Sequence, residues 1–275
     1  MTTLARLRPA KPGRASAAMS NRLPSLRDLL GLCLLAKLLE LAVATTVVVQ
    51  GGQEDEAAWL AAGTSLLIMA GGLRLRGSSL PSLALQGQPA IPHAAARWLL
   101  LALPLGVFLR VGSEALYLLV AAAASPAQVA EDFSSLATVT ATRPPWTFWP
   151  ALLIGALEEE FFYRVVLLGW LATRWHWGIA LLVSSAVFAV PHGSPVAFLG
   201  GLGLGLLYLQ SRSLPVVFIA HVAANLVHPW LQWRGVAIDS DLAWQLAWLL
   251  ALAFIAFLGG LVLRLARSRC RLSTS

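Results

Sequence analysis

Three adjacent carboxylates, Glu158-Glu159-Glu160, interrupt an apolar stretch, and one cation, Arg164, follows a turn later. Two histidines lie in later apolar stretches, each with a partner four residues away: Phe188 with His192, and His221 with Asn225. A charge at the centre of a membrane-spanning helix costs about 2.5–3.5 kcal/mol on insertion scales, so each such group needs a partner or a function. Successive helical residues are about 100° apart, so the three carboxylates cannot share one cation. Glu160 and Arg164, at i and i+4, share a face and can pair. Glu159 then points to a second sector without a cation, which suits a general base, and Glu158 to a third, toward water. Gly155, four residues before Glu159, leaves room on that face for a neighbouring helix or a substrate backbone. The competing reading of the trio is a helix-packing network.

Other ionisable residues in apolar stretches are less promising. Lys37 with Glu40 and Arg110 with Glu114 have helical pair spacing and read as mutual neutralisation inside a bundle rather than as chemistry. His228, near Trp230, reads as interfacial or as a support to the site, and His93 and His176 fall in loops. Cys33 and Cys270 have neither metal nor redox spacing.

The elements that would position these groups are membrane helices. The 275 residues are 58% hydrophobic and 12% charged, against about 45–50% and 25% in soluble domains. Too few polar side chains remain to cover a water-facing surface, which excludes a soluble enzyme. Apolar segments of spanning character run over approximately 29–50, 57–74, 98–124, 146–171, 176–191, 195–210, 213–231 and 243–266, separated by Gly, Pro and charge. The expected fold class is therefore an all-α polytopic membrane protein with about eight transmembrane helices. Asp28 is the expected N-cap of the first. The chain divides into a basic tail over 1–28, N-terminal helices over 29–140, catalytic helices over 141–235, and a last helix with a basic tail over 236–275. The first apolar segment, with its long basic lead, reads as an uncleaved anchor rather than a signal peptide.

Charge placement gives an orientation. Arg6, Arg8, Lys11, Arg14, Arg22, Arg27, Arg74, Arg76, Arg97, Arg174, Arg212, Arg264, Arg267, Arg269 and Arg271 fall on one side of an eight-span chain, and only Arg143 and Arg234 on the other. That skew predicts both termini in the cytoplasm. No aromatic residues interleave with the terminal basic clusters, so they read as anchors to anionic lipid and not as a nucleic-acid surface. The dense basic ends and the Ala-, Leu- and Arg-rich composition fit a bacterial inner membrane.

The ordered patterns Glu-Glu-x-x-x-Arg (Glu159 to Arg164), Phe-x-x-x-His (Phe188 to His192) and His-x-x-x-Asn (His221 to Asn225) resemble those of the CPBP family of intramembrane proteases. That family includes the type II CAAX prenyl proteases and bacteriocin-processing and immunity relatives. The Gly-rich segment from Gly200 to Gly205 also resembles the family, and Gly201 and Gly205 mark a face for close helix packing. The resemblance implies that Glu159 and His192 activate a water at a scissile carbonyl. It also implies that Glu160 and Arg164 form a supporting ion pair, and that His221 and Asn225 donate to the oxyanion or bind metal. A divalent ion such as zinc, held by Glu159, His192 and His221, and a metal-free route use the same residues. The expected partners are a membrane-associated peptide or protein substrate and the bilayer, with no nucleic acid. Two other functions fit parts of the pattern: a non-catalytic scaffold or immunity protein, and a Glu/His proton-coupled transporter. A transporter usually carries repeated halves, and none is visible.

Overall fold

A computed structural model of the chain describes residues 24–51, 54–75, 92–125, 149–233 and 240–273. The described residues are helical apart from caps and short turns. The helices are α1 (Leu26–Val49), α2 (Glu54–Leu75), α3 (Pro92–Ala124), α4 (Trp149–Glu160), α5 (Gly169–Ala172), α6 (Trp177–His192), α7 (Pro195–Ser211), α8 (Leu214–Trp233) and α9 (Ser240–Ser273). A π-helical segment, Phe161–Leu168, joins α4 to α5 without a break. The fold class is all-α and polytopic. Among the described residues five helices are long and apolar enough to cross a membrane, and α6 and α7 are shorter apolar helices. With the continuous α4–π–α5 run these make the eight segments expected.

Local sequence explains where helices start and stop. Ser25, not Asp28, caps α1: its hydroxyl accepts from the Asp28 amide at 3.1 Å, and Asp28 lies in the first turn. The hydroxyl of Ser25 has the reach to cap from one turn earlier, and an acid inside the first turn complements the helix dipole. Between α6 and α7 the chain reverses in two residues. Gly193 takes φ +57°, a left-handed C-cap that glycine adopts without steric cost. Ser194 then caps α7, and Pro195 occupies its first turn, where no amide partner is needed.

Packing is close wherever a glycine meets a neighbour. A Cβ on Gly106 would lie 2.0 Å from the Ala220 carbonyl oxygen, so α3 and α8 touch backbone to backbone. Further along both helices in the same direction, Glu114 meets His228, so α3 and α8 run parallel. By the same test α2 and α4 are parallel, because Gly63 lies against Ile154 and Ser65 against Glu158. Third with seventh and second with fourth are the parallel pairs that alternating spans require. Gly203 and Gly205 admit Leu109 and Leu181, and Gly201 admits Phe188. The outward faces remain apolar, as with Leu67 and Leu100, which fits a lipid solvent.

Candidate active site

The six motif residues sit on four elements, α4, the π-helical segment that continues it, α6 and α8, and Glu160 is at the centre of the deepest layer. Glu160 and Arg164 are both fully buried, and the Arg164 Nε–H donates to one Glu160 carboxylate oxygen at 3.1 Å. The other Glu160 oxygen lies 2.8 Å from His221 Nδ1, across from α8. A carboxylate only accepts, so Nδ1 carries the hydrogen and the other ring nitrogen, Nε2, faces away from Glu160. On α6, His192 Nδ1 lies 2.8 Å from the Phe188 carbonyl, which again only accepts. The two rings are thus fixed with Nε2 free to act.

Both Nε2 atoms face the same group. Glu159 puts one carboxylate oxygen 3.8 Å from His192 Nε2 and the other 3.6 Å from His221 Nε2. These separations exceed a direct hydrogen bond. Side-chain exposure rises from 0% at Glu160 to 5% at His221, 28% at Glu159 and 35% at His192. The site therefore grades from a buried ion pair to an accessible mouth. Phe188 organises the layer between: its ring lies 4.6 Å from the His192 ring, 6.0 Å from that of His221 and 5.0 Å from that of Tyr163, with the Arg164 guanidinium 4.8 Å from its centroid. The π-helical segment begins at the residue after Glu160, and Ser184 of α6 donates to the Tyr163 carbonyl within it at 2.9 Å. Such widened turns recur at functional sites because they displace side chains from the ordinary helical register.

A cavity of about 70 Å³ opens against His192 and His221 and is bounded by Phe188, Gly200 and the exposed Asn225. That is room for several waters. Its far wall is Arg110 and Ser113 of α3, a helix that carries no motif. From its spacing the Arg110–Glu114 pair is expected to be neutralised and outside the chemistry. They do pair, and Glu114 also bonds His228 Nε2 at 2.6 Å, but Arg110 lines the cavity. The available signal was an ionisable residue at mid-span; which helix it would face was not in the local pattern.

Glu158 corrects a second expectation. It does not point to water: it is 4% exposed and accepts from Lys37 Nζ at 3.0 Å and Ser65 Oγ at 2.9 Å. Lys37 also donates to Glu40 at 2.7 Å, so the Lys37–Glu40 pair is one end of a network spanning α1, α2 and α4. Gly155, on the Glu159 face, has nothing within 4 Å of where its Cβ would stand, leaving the predicted space open. His176 caps α6, its Nδ1 accepting from the Gly178 amide at 3.2 Å.

Zinc would need three donors converging at about 2.0–2.2 Å on one point. Among the described residues no three His, Cys, Asp or Glu side chains are grouped to hold a metal ion, so Glu159, His192 and His221 as placed do not form that set.

No curated protein and no solved structure matches the chain. Residues 141–227 match the family model described as type II CAAX prenyl endopeptidase, Rce1-like. The match contains all six motif residues and excludes α1, α2 and α3. Over this segment, about a third of its length, the chain is similar to the CPBP and CAAX protease family of intramembrane proteins.

Proposed function

We propose that the chain is an intramembrane endopeptidase that hydrolyses a membrane-associated peptide with a water activated by Glu159 and His192. The observation that carries this is the placement of the Glu159 carboxylate between two imidazole Nε2 atoms, at 3.8 and 3.6 Å, beside a cavity with room for water. A water between these groups donates one hydrogen to Glu159 and one to His192 Nε2, leaving a lone pair for the scissile carbonyl carbon. As the C–O bond forms, Glu159 takes the proton and negative charge builds on the carbonyl oxygen. His221, doubly protonated, donates Nδ1–H to Glu160 and Nε2–H to that oxyanion, and the Asn225 amide is the second donor. Glu159 then returns its proton to the departing amine, completing hydrolysis. Glu160 and Arg164 touch no reacting atom in this scheme. They position His221, in the way a buried carboxylate orients a catalytic imidazole.

Charge placement supports both chain ends lying in the cytoplasm of a bacterial inner membrane. The test of the reaction is a peptide library incubated with the purified protein in detergent, with and without chelator, beside Glu159→Gln. Cleavage by the parent and none by the well-folded variant is the expected result. No cleavage by the parent, or equal cleavage by both, overturns the proposal.

A further inference from the structure

We infer that the site receives its substrate from the membrane face opposite the one where α1 begins and α9 ends, which the charge distribution makes the extracytoplasmic face. The substrate is then a membrane-anchored peptide whose scissile bond lies in the outer half of the bilayer. This substrate class rests on the protease reading; the side of opening rests on the geometry and the charge distribution.

Eight successive crossings put the starts of α1, α3, α6 and α8 and the ends of α2, α5, α7 and α9 on one face. Between the site and that face the interior is filled. Arg164, Leu168, Leu207, Val216 and Val217 are buried at 0% exposure, closing the floor beneath Glu160 and His221. Toward the opposite face the packing stops. His192 is the last residue of α6, Gly193 after it is exposed, and Asn225, one turn beyond His221 along α8, is exposed as well. The helices on this side are short: α6 has 16 residues and α7 has 17, about 24 and 26 Å against a hydrocarbon thickness of about 30 Å. Arg174 and Arg212 hold the other ends of these helices at the first surface, so their turn at Gly193 and Ser194 sits below the second, and the recess there exposes His192 and Asn225. Backbone at that depth is tolerated where it lines a water-filled cavity. Fifteen cations on the first face and two on the second put the opening outside.

The experiment is thiol labelling with a membrane-impermeant maleimide in right-side-out and inverted vesicles. The background carries Cys33→Ala and Cys270→Ser, with Ser194→Cys at the recess and Ser213→Cys, between α7 and α8, at the opposite face. Labelling of the first only in right-side-out vesicles and of the second only in inverted ones is expected. If loss of the α7 cap unfolds the Ser194 variant, Val196→Cys, which lines the cavity, takes its place. Recess labelling from the inverted side alone, from both sides or from neither overturns the inference. In parallel, a peptide bearing an impermeant charged tag should be cut only when added outside right-side-out vesicles, and cutting only by inverted vesicles overturns the substrate class. Labelling needs no turnover, so it decides the side of opening even where no peptide is cut and the protease reading has failed.

Discussion

Glu158 and Glu160 are separated by one residue, yet they belong to opposite parts of the molecule. Glu158 faces α1 and α2, where Lys37, 121 residues earlier, and Ser65 satisfy it. Glu160 faces α8 and the π-helical segment, where Arg164 and His221 satisfy it. Each carboxylate has its own cation, and Glu159, in the sector between, faces two imidazoles instead. Two neutralised acids bracket one that remains available for chemistry. The difference between the brackets is their depth and reach: the Glu160 network is fully enclosed, whereas Lys37 is half exposed and has a second carboxylate, Glu40, to turn to.

The largest effect is expected between the brackets. Glu159→Gln preserves shape and removes the base, so turnover should fall about 10²–10⁴-fold while thermal stability holds. Peptide cleavage and melting temperature measured on one preparation check both halves. Retained turnover would remove Glu159 from its place in the comparison.

Next comes the enclosed network. Glu160→Gln strands the buried Arg164 guanidinium without its counter-charge, a loss of about 3–5 kcal/mol, visible as lower yield and an earlier thermal transition. Adding Arg164→Met removes both charges and should recover part of that stability while turnover stays low, because a neutral amide still accepts from His221 Nδ1 but no longer balances the charge of the doubly protonated ring. If Glu160→Gln is stable and inactive while Glu159→Gln turns over normally, the two roles are reversed.

A smaller loss is expected on the other side. Glu158→Gln keeps an acceptor for Ser65 and leaves Lys37 paired with Glu40, so it forfeits one charge-assisted hydrogen bond, about 1.5–3 kcal/mol. Denaturant titration of the two single variants side by side sharpens the comparison: equal losses would mean that the Lys37 network is as closed as that of Arg164.

The smallest effect belongs to Gly155. Its Cβ position is empty, so Gly155→Ala should gain up to about 1 kcal/mol from helix propensity. If substrate approaches over the Glu159 face, the added methyl should raise KM with kcat little changed. An unchanged KM would mean that the peptide enters elsewhere, past Arg110 and Asn225.

The amino-acid sequence by itself determined the solvent, since 58% apolar residues leave no surface for water. It determined the apolar runs and several partnerships within one turn of helix, among them Glu160 with Arg164, His192 with Phe188 and Lys37 with Glu40. Those are legible because helical geometry alone brings i and i+3 or i+4 together. The tertiary structure decided the rest. That Glu158 is satisfied by α1 and α2 rather than by water depends on how α4 is rotated against them. The bond from His221 to Glu160 closes 61 residues, and that from His228 to Glu114 closes 114. Arg110 and Ser113 reach the cavity only because Gly106 lets α3 lie against the α8 backbone. Such contacts follow from which helix faces pack and at what depth, and neither is encoded in the spacing along one helix.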